Sequence, residues 1–113
     1  MTDCLFCRVV AGQVPATTVH ETDRTLAFLD LGPQAPTHVL VVPKAHFPDV
    51  AALADADPAL LADLMGAAVA VARGAGLDEG YRLVVNTGAQ GGQTVSHLHV
   101  HVLGGRAMGW PPG

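Results

Sequence analysis

At 113 residues, half of them hydrophobic and only 14% charged, the chain has the composition of one domain (1–113) with a well-buried interior, which excludes disorder. A formal net charge of −4 and the lack of any basic run exclude nucleic-acid binding by phosphate neutralisation. No apolar stretch approaches a membrane span and the start, Met1-Thr2-Asp3-Cys4, has no signal-peptide architecture, so a soluble, cytoplasmic protein without membrane partners is expected.

The first ten residues read as a short helix with Leu5, Phe6, Val9 and Val10 apolar, ended by Gly12 and Pro15. Thr17 to His20 and Thr25 to Leu29 read as strands around the turn Glu21-Thr22-Asp23-Arg24. Gly32 to Pro36 is a loop, and His38 to Val42 is a strongly apolar strand closed by Pro43. Asp57 at an N-cap and Pro58 at the first helical position start a long helix. Leu61, Leu64, Met65, Ala68 and Val71 recur at helical spacing until Gly74 and Gly76 stop it. Tyr81 to Asn86 is a strand, Thr87 to Thr94 a glycine-rich loop, and His97 to Leu103 the last strand. Five strands joined mostly by short loops, one long helix and a short N-terminal helix predict an α+β domain built on an antiparallel sheet.

Three histidines alternate with aliphatic residues in His97-Leu98-His99-Val100-His101. Strand side chains alternate faces, so the imidazoles project from one side and the aliphatics enter a core on the other. Imidazole serves near neutral pH as nucleophile, acid, base or metal ligand. In a regular strand the outer two lie on the order of 13 Å apart, too far to share one ion. The three must therefore divide their labour.

The loop Asn86-Thr87-Gly88-Ala89-Gln90-Gly91-Gly92-Gln93-Thr94 has neither the lysine nor the following helix of a Walker or dinucleotide motif. Alone it is a hairpin loop. Beside three histidines, its backbone N–H groups, the Thr94 hydroxyl and the Asn86 amide make it a phosphate cradle. Cys4-Leu5-Phe6-Cys7 is half of a tetrahedral zinc site, and the strand–helix setting of a thioredoxin-like redox pair is lacking. Two more ligands are needed. His20, His38, His46 and the triplet all qualify, and spacing does not choose among them.

The run His97 to Leu103 has the form of the histidine-triad (HIT) signature: His, apolar, His, apolar, His, two apolars. Phe28-Leu29-Asp30, Pro33-Gln34-Ala35-Pro36-Thr37-His38, Pro43-Lys44, Tyr81 to Asn86, Gly91-Gly92-Gln93-Thr94 and the close Leu103-Gly104-Gly105-Arg106 to Trp110-Pro111-Pro112-Gly113 resemble the Hint branch of that superfamily. The likeness runs from about residue 3 to the end. It implies a HIT-like sheet and a homodimer with sheets joined edge to edge. It also implies a purine nucleotide (AMP-type) hydrolase that cleaves adenosine 5′-phosphoramidates through a nucleotidyl-histidine.

Carried onto this chain, the resemblance makes His99 the nucleophile, sets His101 at the phosphate, and makes His38 the buttress. It matches Asp30 to the ribose carboxylate, and Asn86, Gly92, Gln93 and Thr94 to the phosphate loop. The base pocket falls on Leu5, Phe6, Val9, Phe28 and Leu31. Many Hint proteins carry Ser where this chain has Thr94, which keeps the hydroxyl but crowds it with a methyl. Many also lack the cysteines. Cys4 and Cys7 resemble instead the zinc-bearing HIT proteins, in which the other two structural ligands would be His46 and His97. Competing expectations are dinucleoside polyphosphate hydrolysis or nucleotidyl transfer by the same nucleophile, a non-catalytic nucleotide-binding module, and an inactive structural zinc protein.

Overall fold

A computed structural model describes residues 3–113. Its elements are α1 (Leu5–Val10), β1 (Thr18–Glu21), β2 (Thr25–Leu29), β3 (Thr37–Pro43), α2 (Val50–Ala56), α3 (Pro58–Gly74), β4 (Tyr81–Val84) and β5 (Val100–Gly104). The strands form one antiparallel sheet of five in the order β1-β2-β3-β5-β4, so the expected α+β architecture is the observed one.

The sheet has a core on each face. On one face, Ala27, Val39, Val41, Leu98, Val100 and Val102 pack against Leu53 of α2 and Leu60, Leu64, Ala68 and Val71 of α3. On the other, Leu26, Phe28, Leu40 and Val42 pack under Phe6 of α1. Covered on both sides, β3 is a continuous apolar run rather than an alternating one. Its one buried polar residue, His38, shares the parity of Leu40 and Val42 and therefore belongs to the α1 face.

Helix α3 begins as its residues dictate. The Asp57 carboxylate accepts from the Leu60 N–H at 3.0 Å, and Pro58 takes a position where no donor is needed. Helix α2 is an addition to the two helices expected. Asp49 caps it through the Ala52 N–H at 2.9 Å, but only Leu53 is buried in its seven residues. A single buried side chain leaves no periodicity to read.

The ends of the other elements also move. Strand β4 stops at Val84 rather than Asn86, β1 shifts by one residue, and β3 gains one residue at each end. The informative change is at β5, which starts at Val100 and not at His97. The pairing Val41↔Val100 would, two residues on, set Leu98 opposite Pro43. Proline has no N–H to give the ladder. The Leu98 N–H bonds the Phe47 carbonyl instead, at 2.8 Å, and the chain leaves the sheet. Alternation nonetheless persists. Leu98 lies in the α3-side core, while the rings of His97 and His99 meet Phe6 edge-on at centroid distances of 5.9 and 5.1 Å.

Candidate functional site

A cleft of about 250 Å³ opens on the α1 face. Among the expected nucleotide residues, Leu5, Phe6 and Val9 line it from α1, and Phe28, Asp30 and Leu31 from the end of β2 and beyond. Thr94, His99 and His101 close the far side. Leu31 stands at the mouth, 95% exposed. Asn86, Gly92 and Gln93 are not among the lining residues, and His38 lies buried against His101. Val14, Pro15, Ala16, Leu29, Leu40 and Val95 also line the cleft, though no sequence reasoning selected them. The parity shared by Leu40 and His38 could have revealed Leu40. The segment 14–16 follows α1 without a motif, and only the fold brings it here.

Hydrogen-bond polarity assigns a role to each imidazole. A peptide carbonyl only accepts and a peptide N–H only donates. His99 therefore donates Nδ1–H to the His97 carbonyl at 2.8 Å, which puts its lone pair on Nε2. No fully buried side-chain nitrogen or oxygen among the described residues lacks a partner, so this unbonded Nε2 opens to the cleft. His38 accepts the Gln34 N–H on Nδ1 at 3.0 Å, so its own proton sits on Nε2. That N–H faces His101 Nδ1 at 2.9 Å and, more distantly, Asp30 Oδ2 at 3.4 Å. His101 is thereby left with Nε2–H, a donor. One lone pair and one N–H thus stand on adjacent rings, 5.0 Å between centroids.

Burial, followed by the neighbouring His99 and His38, pushes the His101 pKa down from 6.5 to about 4, against a smaller opposing pull from Asp30. The ring is neutral at pH 7. Its folded pKa lies below the unfolded one, so the unfolded chain takes up the proton first as pH falls. The stability this ring contributes is complete above pH 6.5 and is lost progressively toward pH 4. His101→Asn removes that titration. Urea unfolding at intervals from pH 7 to 4 should show a shallower loss in the variant than in the parent. The difference should be at most about 3 kcal/mol, and less because the ring is only half-buried. Parallel curves would contradict the assignment.

The second cluster joins α1, the loop after β3 and the segment before β5. The sulfur of Cys4 lies 3.3 Å from His97 Nδ1, and that of Cys7 3.4 Å from His46 Nδ1 and 3.5 Å from His97 Nδ1. The two Nδ1 atoms are 3.2 Å apart. All four donor atoms fall within 4.8 Å of one another. Tetrahedral zinc with ordinary bond lengths has edges of about 3.3 Å between nitrogens and about 3.6 Å between nitrogen and sulfur. His97 donates Nε2–H to the Pro43 carbonyl at 2.9 Å, which fixes its lone pair on Nδ1, toward the cysteines. Burial before all else lowers the His97 pKa and favours this neutral, ligating form. The residues fit a divalent, thiophilic ion. Asp30, His38 and His101 also converge within 4.8 Å, but 2.9 Å between His38 and His101 is the distance of a shared proton. His20, another candidate ligand by sequence, lies beside Arg24 and α3 and outside the cluster.

The glycine loop is wound tightly on itself. A Cβ at Gly91 would stand 2.3 Å from the Thr87 carbonyl oxygen, so only glycine fits. Gln93 accepts from the Gly88 N–H at 3.0 Å and donates to the Pro48 and Val95 carbonyls at 2.7 and 3.0 Å. Its side chain is a staple that holds the loop against the segment leading to α2. Thr94 emerges from this anchored turn at the wall of the cleft.

The fold and the site together define a largely apolar cleft with histidines of opposed polarity beside a Cys₂His₂ cluster. The HIT domain family model matches residues 11–108, and the chain belongs to that family. A HIT family hydrolase from Legionella pneumophila superposes with a TM-score of 0.94 at 49% identity, covering 98% of this chain and all of that one. The 14 kDa zinc-binding protein of Brassica juncea is 44% identical over 114 residues, spanning 98% of this chain and 100% of that protein. A HIT-like protein of Synechococcus elongatus is 48% identical over 98% of this chain and 97% of its own length.

Proposed function

We propose that the chain is a nucleotide hydrolase that cleaves the P–N bond of adenosine 5′-phosphoramidates. The polarity of His99 carries the reading: Nδ1–H is held by a backbone carbonyl and the Nε2 lone pair opens to the cleft. The apolar walls Leu5, Phe6, Val9, Phe28 and Leu31 take the purine. Asp30 takes the ribose hydroxyls. The Thr94 hydroxyl and the His101 Nε2–H meet the phosphate, and the loop Asn86 to Gln93, whose Gly88, Gly92 and Gln93 N–H groups bond within it, holds Thr94 in position. His99 Nε2 forms a bond to the α-phosphorus as the P–N bond breaks, and the departing amine takes up a proton. Water then attacks phosphorus, releases AMP and restores His99. The proton that water surrenders balances the one the amine took.

Zinc held by Cys4, Cys7, His46 and His97 has four protein ligands and no open position, so its role is structural. In support of zinc stand the donor geometry and the likeness to the 14 kDa zinc-binding protein of Brassica juncea. Paired cysteines serving a metal suit a reducing compartment such as the cytoplasm. Among the described residues no helix is long and apolar enough to cross a membrane.

A substrate panel tests the activity. Adenosine and guanosine phosphoramidates, diadenosine polyphosphates and nucleotidyl sugars are compared at equal concentration. Phosphoramidates should be turned over fastest, with AMP and free amine as products. Preferential cleavage of the polyphosphates would move the reading to that class, and no turnover of any would leave a binding module.

The protein should also be a symmetric homodimer. Strand β4 is a sheet edge, Arg82 on it holds the Gly109 carbonyl at 2.7 Å, and Trp110 is 84% exposed beside that edge. We place Trp110 near the partner's cleft, where it shapes leaving-group preference. Removing residues 107–113 should change selectivity among amines more than nucleotide affinity. A monomer by light scattering across micromolar concentrations contradicts this arrangement.

A further inference from the structure

Past β5 the backbone turns at Gly105 with φ +89°. A Cβ there would stand 2.9 Å from Cβ of Pro36. Bare backbone thus lets the C-terminal segment lie directly on the loop that precedes β3. The contact brings the Arg106 guanidinium onto one atom of that loop. Its Nε and Nη2 donate to the Gln34 carbonyl at 3.2 and 2.9 Å, while Nη1 donates to the Ala107 carbonyl at 3.1 Å. Gln34 is the residue whose N–H meets His38 Nδ1, and its side-chain amide also bonds the Gly32 carbonyl at 3.0 Å.

We infer that Arg106 is a positioning residue that sets the tautomers of His38 and His101 by holding Gln34 in place. With the Gln34 N–H on Nδ1, His38 must carry its proton on Nε2, and His101 must then present Nε2–H to the cleft. Without that N–H, His38 is free to protonate Nδ1 and offer a lone pair from Nε2. His101 would then turn its own proton inward and face the phosphoryl oxygens with a lone pair. A donor becomes a repelling acceptor although no residue touching the nucleotide has changed. The planar fork of Arg suits the task, because two parallel N–H groups on one oxygen fix the loop in direction as well as distance. The kinetic consequence rests on the phosphoramidase reading, whereas the tautomer assignment does not.

Nitrogen-15-labelled histidine in the full-length, zinc-loaded protein reports tautomers through two-bond proton–nitrogen correlations. The parent should show both His38 and His101 as Nε2–H at pH 7.5. Arg106→Ala and Arg106→Gln should show mixed tautomers at both rings, with kcat for an adenosine phosphoramidate lowered about tenfold or more and KM changed far less. Arg106→Lys, which can supply one donor, should restore part of each. Arg82→Ala frees the tail at Gly109 without touching Gln34 and should leave both tautomers as in the parent. Should the Ala variant fail to fold, the Gln variant is read in the same way. Parental tautomers in a folded Ala or Gln variant overturn the inference, whatever its activity. Altered tautomers in a protein whose parent turns over no phosphoramidate sink the proposed reaction and leave the positioning role standing.

Discussion

Replacing His99 by Ala or Gly should lower phosphoramidate turnover by several orders of magnitude while AMP binding stays within a few-fold. His99 and His101 line the cleft, His38 packs behind His101 and His97 precedes His99 in the chain, and three of these four have their lone pairs committed. That of His97 points at the cysteines, that of His38 accepts the Gln34 N–H, and that of His101 accepts from His38. Only Nε2 of His99 retains a lone pair toward the cleft. Loss of one member of a cooperating unit costs nearly as much as loss of the whole, so no neighbour should substitute. In the proposed reading nucleotide affinity comes from the apolar walls and Asp30, which line the cleft and which the substitution leaves in place. Rapid quench with phosphorus-labelled substrate should trap a nucleotidyl group on His99 in the parent and none in the variant. Near-normal turnover in His99→Ala, or a label mapped to His101, would overturn the assignment.

The shared face of the three imidazoles was legible because it follows from parity. Alternating polar and apolar residues identify two faces whether or not the backbone is paired, which is why the imidazole face survives although β5 begins only at Val100. The start of pairing was not legible from that segment alone. It depends on Pro43, more than fifty residues earlier, and on a register that only the folded sheet sets. The same holds for the Cys₂His₂ cluster. Cys4 and Cys7 announce themselves by spacing, whereas His46 joins them because the loop after β3 returns beneath α1. Helix α2 escaped because seven residues with one buried leucine carry no period. Arg106 looks like an ordinary solvated charge in the sequence, and its two bonds to Gln34 span 72 positions. Local pattern thus identified many of the residues that line the cleft and the cysteines of the cluster, while those that hold them in place emerged only from long-range contact.

Protein purified without chelator should contain one zinc per chain, and stripping it should loosen the nucleotide cleft as well as lower stability. Helix α1 has six residues, too few to persist alone. It buries one side chain, Phe6, over Phe28 and against the rings of His97 and His99. Four bonds from Cys4, Cys7, His46 and His97 to one ion would tie that short helix to the sheet and to the loop after β3. An ion present at about a thousand times its dissociation constant stabilises the fold by about 4 kcal/mol. Chelation, or Cys7→Ser, should therefore lower the urea midpoint markedly, because binding at this site is coupled to folding. The functional effect follows from the same attachment. Leu5, Phe6 and Val9 form one wall of the cleft, and the His97 carbonyl holds the His99 proton. Release of α1 should weaken AMP binding, and the freed His97 segment should lower kcat in the same sample. Restored zinc should recover both together. Well-folded, fully active protein that elemental analysis finds free of metal would sink the structural role and leave the cysteines without the one assigned to them here.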